Sequence, residues 1–356
     1  MNFDLTEDRQ MVAATLKRYL AEQYSVEVRN KLAYDAPFHD PAKWDEMADL
    51  GIPGVLVAEK AGGYGGTGFD IAVVFEALGR ELCPEPFLGL LMASSLLSSA
   101  SADQDDLVDG SVRYAVGISE ISAPYNVEFA ETTATRLGDA YLLNGRKSTV
   151  YGGQIADKLL IEAKLNGKSG TFLVDATKAD VTGYGMIDGA GAAEIIFEDT
   201  PAALVQADAK SAINAAINAG RVALCAEAVG VMDVVYEILL DYLRTRKQFG
   251  VPIGKFQVLQ HRTVDLLTEI EQARSITISA SASLSESDAG HKCAMAKNLI
   301  GRTARLVAEE AIQMHGGIAM TWEYSVSHYA KRLIMIDHQL GDTDHCLTQM
   351  TQGYAA

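Results

Sequence analysis

The chain has 356 residues, 48% apolar and 22% charged, which are ordinary globular values with enough length for two or three packed units. Its formal net charge of −17 argues against nucleic acid or an anionic membrane surface as the main partner, because both reward basic patches. An anionic small molecule stays open, since a local arginine cluster can bind phosphate on an acidic protein.

MNFDLTEDRQ, at the N-terminus, lacks the basic-then-apolar pattern of a secretory signal. No run of about 18 uncharged apolar residues suggests a membrane span. Cys83, Cys225, Cys293 and Cys346 form no CxxC pair. Reduced, mostly buried thiols in a cytoplasmic protein are expected, with neither a zinc site nor a disulfide framework.

In chain order, Thr6 is placed to cap a first helix that carries Glu7 and Asp8 in its opening turn and an apolar stripe at Val12, Leu16 and Leu20. The Gly-rich KAGGYGGTGFD (60–70) is a turn in which Tyr64 is the one bulky residue among glycines. Another helical pattern, IAVVFEALGREL, ends at the two prolines of CPEPF. From about 112 to 207 short strand-like runs follow: YAVGI, AYLLNG, KLLIEAK, GTFLVD and AAEIIFED, with LNG (143–145) as a tight turn between two strands.

After 208 the chain is helical again. Ile213, Ile217, Leu224, Ala228, Val231, Val235, Ile238 and Tyr242 mark one long helix with a core-facing stripe. Gly220 and Arg221 stand at a gap in it, where a closely crossing neighbour helix or a functional need for room explains the glycine. VDLLTEIEQARSI and AKNLIGRTARLVAEEAIQM continue the helical texture. The expected fold class is α+β: an N-terminal helical domain (1–111), a middle β-barrel or sandwich domain (112–207) and a C-terminal four-helix-bundle-like domain (208–356).

RTRKQFGVPIGKFQVLQHR (244–262) closely resembles the R-x-x-F-G-x-x-[IL]-x-x-[FH]-Q signature of the acyl-CoA dehydrogenase family, through Arg246, Phe249, Gly250, Ile253, Phe256 and Gln257. EKAGGYGGTGFD resembles the family's P-E-x-Y-G-G-x-G turn. QMHGGIAMTWEY (313–324) resembles its Q-x-x-G-G-x-G segment, with Ala319 where the last glycine is usual. The likeness spans the whole chain and implies the acyl-CoA dehydrogenase fold with FAD between the β domain and the C-terminal helices. It also implies oxidation of the Cα–Cβ bond of an acyl-CoA substrate, with electrons passed to an electron-transferring flavoprotein. Arg246 matches the position that reaches the FAD of a neighbouring subunit, with Gln313, Gly316 and Gly317 matching the segment that meets it. Phe249 fits an apolar contact to the adenine part. Outside that motif Arg246 would read as a solvated arginine at a helix end, and His315 reads as a packing residue.

The pattern fails where the family carries its base. The glutamate that takes the α-proton sits in one of two places, and the matching positions here are Gly341 and Gly220. In GDTDHC (341–346) Asp342 is one residue from the first place and has the right chemical type, although it is one methylene shorter. Thr343 and His345 match FAD contacts. A metal site is not suggested by any spacing. Arg221 would hold the base or substrate, or else be an ion-paired helix arginine. The T-E-P-x-x-G-S-D loop is replaced by ISEISAPYN (118–126), and the W-I-[TS] edge by Thr149–Tyr151, where Tyr151 offers a hydroxyl to the flavin.

These losses, and the T-W-E stretch, resemble a branch that degrades sterol and bile-acid side chains with two different subunits in an α₂β₂ assembly. Two expectations follow. One is a homo-oligomeric dehydrogenase (dimer or tetramer) with Asp342 as base. The other is a non-catalytic subunit that completes an FAD site in a heterotetramer with a glutamate-bearing paralogue.

Overall fold

The computed structural model describes residues 5–126, 129–138 and 140–352. The N-terminal helices are α1 (Glu7–Gln23), α2 (Val26–Tyr34), α3 (Pro41–Asp49), α4 (Ile52–Val55), α5 (Gly68–Arg80), α6 (Phe87–Ser99) and α7 (Asp105–Val108). Strands β1 (Tyr114–Gly117), β2 (Thr133–Leu137), β3 (Ala140–Tyr151), β4 (Lys158–Leu165), β5 (Lys168–Asp175), β6 (Asp180–Gly185) and β7 (Gly191–Gln206) follow. Then come α8 (Lys210–Thr245), a small hairpin of β8 (Lys247–Gln248) and β9 (Val251–Pro252), α9 (Gln257–Ala282), α10 (Ala289–His315), α11 (Val326–Asp337) and α12 (Thr343–Gln352). The order is helices, strands, helices, as expected. Thr6 caps α1 by accepting the Arg9 N–H. No described helix is long and apolar enough to cross a membrane.

The chain divides into two compact units: Met1–Val26 with Ile71–Cys83 and Arg221–Ala356, and Glu27–Asp70 with Pro84–Gly220. In the second unit the strands close into a barrel. β4 takes β5 on one edge and β1, then β2, in parallel on the other; β2 pairs β3, β3 pairs β7, and β7 returns to β5. β6 adds to β7 beyond β5. Closure removes the unpaired edges a flat sheet would expose. The interior holds Leu143, Val150, Leu159, Ile161, Phe172 and Phe197. It also holds a fully buried Lys147, whose Nζ donates to Glu120 at 2.7 Å and Glu162 at 2.9 Å.

LNG is not the expected turn. Leu143–Gly145 lies inside β3, where the register with β7 shifts and Gly145 takes φ +147. A side chain at Gly145 would come within 2.6 Å of the Thr132 backbone, so the glycine serves a bulge and a close strand approach. The β2–β3 link contains Gly138 at φ +63. In the Gly-rich stretch, Tyr64 lies over Gly54, where a Cβ would sit 2.4 Å from its ring.

The unit containing Arg221–Ala356 is built on α8. The expected stripe understates that helix, because residues 219–232 are all buried. A helix covered on every side needs small residues where neighbours cross. Gly79 of α5 and Gly230 of α8 provide the contact: a Cβ on Gly79 would lie 2.2 Å from Glu227 O, and one on Gly230 would lie 2.1 Å from Glu76 O. Near this crossing Arg274 pairs with Asp233 at 2.7 Å and with Glu76 at 3.1 Å, and Arg332 donates to both oxygens of Glu227.

Candidate functional site

The loop between α11 and α12 carries the residues that raised the question of a base. It is pinned from several sides. Lys297, fully buried on α10, donates to Asp337 O at 2.8 Å and Gly341 O at 2.9 Å. Arg221, on α8 and 4% exposed, donates from Nε to Leu340 O and from Nη1 to Gln349 Oε1, both at 2.8 Å. Asn298 donates to Thr343 O at 2.9 Å. Thr343 opens α12 and donates its N–H and hydroxyl to Asp337 Oδ1, at 3.1 and 2.8 Å. Gly301 leaves room for that pair, since a Cβ there would lie 2.0 Å from Asp337 Oδ1.

Asp342 is the N-cap of α12: its Oδ1 accepts the His345 N–H at 2.7 Å, which satisfies a donor the helix leaves open. Gly341 adopts φ +105, a conformation open to glycine and strained for other residues. A Cβ there would meet Arg221 Nη2 at 2.8 Å and His345 Cδ2 at 2.9 Å. The guanidinium therefore stands where a side chain at 341 would begin. Both carboxylates of the loop, Asp337 and Asp342, accept hydrogen bonds at the start of α12.

Burial and the nearby Arg221 charge hold the His345 imidazole below its ordinary pKa, which favours its neutral form. Burial likewise lowers the Lys297 ammonium. It raises the Cys346 thiol, and pushes Cys225 up to about 12 and Cys293 to about 11. These thiols stay protonated, neither nucleophiles nor metal ligands at neutral pH. No group of three metal-binding side chains occurs among the described residues.

Two further groups of expected residues lie elsewhere in the same unit. In the β8–β9 hairpin, Phe249 and Gly250 take φ +54 and +79, the two left-handed residues of a type I′ turn. Glycine suits this; phenylalanine does not, yet Phe249 is held there 91% exposed, edge-on to Phe256 at 6.3 Å. Arg246, at the hairpin's base, is exposed and its backbone oxygen accepts the Ile253 N–H. At the end of α10, Gln313 is exposed and Gly316 takes φ +71. Side chains built at Gly316 and Gly317 would meet nothing within 4 Å. The backbone is bare and faces open space, which fits close approach by a group from outside the chain. His315 packs between Tyr242 and Tyr324, with ring centroids 4.6 and 5.2 Å away, and burial lowers its pKa. It is a packing residue.

Tyr151 lies in the other unit, at the end of β3, half-buried and paired in register with Ala192. Just before it, Thr149 is strained at φ +52 where the β3–β7 register shifts, and its N–H donates to Glu194 at 3.3 Å. Sequence reasoning missed Lys297, Asn298, Gly301 and Asp337. The available signal was AKNLIG itself, a lysine, an asparagine and a glycine inside an otherwise core-facing helix pattern.

Comparison with known proteins decides the family. Residues 6–106 match the acyl-CoA dehydrogenase N-terminal domain and residues 210–344 match the acyl-CoA dehydrogenase C-terminal domain. The chain belongs to the acyl-CoA dehydrogenase family. It is thus an oxidoreductase of a family that binds FAD. The probable acyl-CoA dehydrogenase YngJ of Bacillus subtilis is 28% identical over 354 residues, covering 92% of each chain. Acyl-CoA dehydrogenase IpdE2 of Mycobacterium tuberculosis is 29% identical over 330 residues, covering 92% of this chain and 91% of its own. Among solved structures, a variant of the Tcur3481-Tcur3483 steroid acyl-CoA dehydrogenase superposes with a TM-score of 0.90 at 26% identity, covering 98% of this chain and 99% of that one.

Proposed function

We propose that this chain is a subunit of an acyl-CoA dehydrogenase assembly that completes an FAD site, with the α-proton base supplied by a glutamate-bearing partner chain. One observation carries the reading: the usual base position is Gly341, Arg221 Nη2 stands 2.8 Å from where its Cβ would be, and the adjacent Asp342 carboxylate caps α12. When bound, FAD accepts the hydride that leaves Cβ of the acyl-CoA. Arg246 offers a guanidinium to the cofactor's pyrophosphate, Phe249 an apolar face to its adenine, and Gln313 with bare Gly316–Gly317 a close backbone approach. Thr343 and His345 supply hydroxyl and ring contacts, and electrons leave to an electron-transferring flavoprotein. Likeness to a steroid acyl-CoA dehydrogenase whose name joins two components supports an assembly of two different chains.

A second reading, a self-sufficient homo-oligomeric dehydrogenase with Asp342 as base, is favoured by one feature. Asp342 is half-buried, and Oδ1 alone of its oxygens takes a hydrogen bond among the described residues. Co-expression with a glutamate-bearing family member, followed by flavin counting on the purified complex, tests the first reading. Flavin that binds only to the complex, and falls on Arg246→Gln in this chain, is the expected result. Full flavin occupancy in a homo-oligomer of this chain would favour the second.

A further inference from the structure

Arg221 is 4% exposed, and no carboxylate lies within ion-pairing distance of it among the described residues. A buried guanidinium normally carries a counter-charge, because desolvating it without one is costly. Its Nε and Nη1 are satisfied by neutral acceptors, Leu340 O and Gln349 Oε1. Its Nη2 has no hydrogen-bond partner among the described residues. That atom is also the one against which a side chain at Gly341 would be built, at 2.8 Å. Lys297 adds a second buried positive charge whose donors go to two carbonyls of the same loop. Neither Asp337 nor Asp342 hydrogen-bonds Arg221 among the described residues, their carboxylates accepting from the start of α12, although the Asp337 charge acts on Lys297. Arg221 is thus a buried cation with one donor unpaired, and that donor stands beside Gly341 where a side chain at 341 would begin.

We infer that Arg221 Nη2, beside Gly341, binds a carboxylate, and that this chain takes acyl-CoA thioesters carrying a second, free carboxylate. The guanidinium and a carboxylate make a charge-assisted hydrogen bond in a site largely removed from water, which gives such a contact its strength. A neutral acyl chain of equal length leaves Nη2 unpaired. The inference rests on the acyl group lying beside Gly341, as in the proposed function, and not on which chain supplies the base.

The test is isothermal titration of the purified protein, in whatever assembly it forms, with succinyl-CoA and butyryl-CoA. These have the same chain length and differ in the terminal carboxylate. Succinyl-CoA is expected to bind at least about tenfold more tightly, the scale of one charge-assisted hydrogen bond. Arg221→Gln is expected to reduce that ratio to about one and Arg221→Lys to keep part of it, the ratio of the two affinities being the readout because Arg221 also holds Leu340 O and Gln349 Oε1. Equal affinities in the unmodified protein, or a preference that survives Arg221→Gln, would overturn the carboxylate assignment while leaving the acyl site intact. Binding of neither thioester would overturn both.

Discussion

Asp342 Oδ1 accepts the backbone N–H of His345 at 2.7 Å, so the carboxylate next in sequence to Gly341 caps a helix. Asparagine caps almost as well as aspartate and alanine does not. Asp342→Ala is therefore expected to lower the stability of the protein by about 1 kcal/mol, and Asp342→Asn by only a few tenths. Urea midpoints measure this. Asp342→Asn is also expected to leave turnover of the co-expressed assembly within twofold. A hundredfold loss at unchanged stability would return Asp342 to the role of base.

Lys297 joins the α11 C-terminus to the loop by donating to Asp337 O and Gly341 O. Lys297→Met keeps the apolar stem and removes both donors, leaving two buried carbonyls short of a partner. The expected loss is about 1–3 kcal/mol. Amide exchange should quicken at 338–343 before it does in α9. Uniform acceleration across the unit would mean that the loop has no separate dependence on the lysine.

Phe249 is held in a left-handed turn position that asparagine tolerates far better. Phe249→Asn should leave the isolated chain at least as stable, by up to about 1 kcal/mol, while reducing flavin retained by the assembly. Better stability with worse cofactor retention is the signature of strain kept for a contact outside the chain. If flavin retention were unchanged, Phe249 would have no part in the site.

The His345 pKa is lowered in the folded protein, from 6.5, by burial and then by Arg221. The folded state therefore binds fewer protons at this residue than the unfolded chain does. Its effect is absent above the unfolded pKa of 6.5, and stability is lost as the pH falls from there towards the lowered folded value. Comparing urea midpoints at pH 7.5 and 5.5, His345→Gln should lose less stability than the unmodified protein. Equal losses would place the acid sensitivity elsewhere, with His315, whose pKa burial also lowers, the next residue to change.

Much of the architecture was legible because periodicity and punctuation are local. Thr6 with its acidic first turn marks α1, and the run from Ile213 to Tyr242 marks α8. The short apolar runs mark β1, β3, β4, β5 and β7. β2 and β6 were missed because TATRL and DVTGYG put mostly exposed residues on the strand and show no apolar alternation. LNG misled because Asn-Gly is the strongest short turn signal, and a β-bulge answers the same need for an unusual glycine backbone. Gly220 drew attention to α8, and a close helix crossing is found at Gly230, which sat unmarked among apolar residues. For the candidate site, the motifs pointed to Arg246, Phe249, Gln313 and the glycine pair. No motif could reveal that Lys297, Asn298 and Asp337 converge on one loop, because those contacts span 40 or more positions or close a turn between two helices.

The most direct test is anaerobic visible spectroscopy of this chain purified alone and together with a glutamate-bearing family member, each titrated with a panel of acyl-CoA thioesters. The expected result is a flavin band that bleaches only in the joint preparation, with the chain alone either colourless or yellow and unbleached by any thioester. A flavin in the chain alone that bleaches with a thioester, and no longer does so after Asp342→Asn, would contradict the proposal and make this a dehydrogenase with its own base.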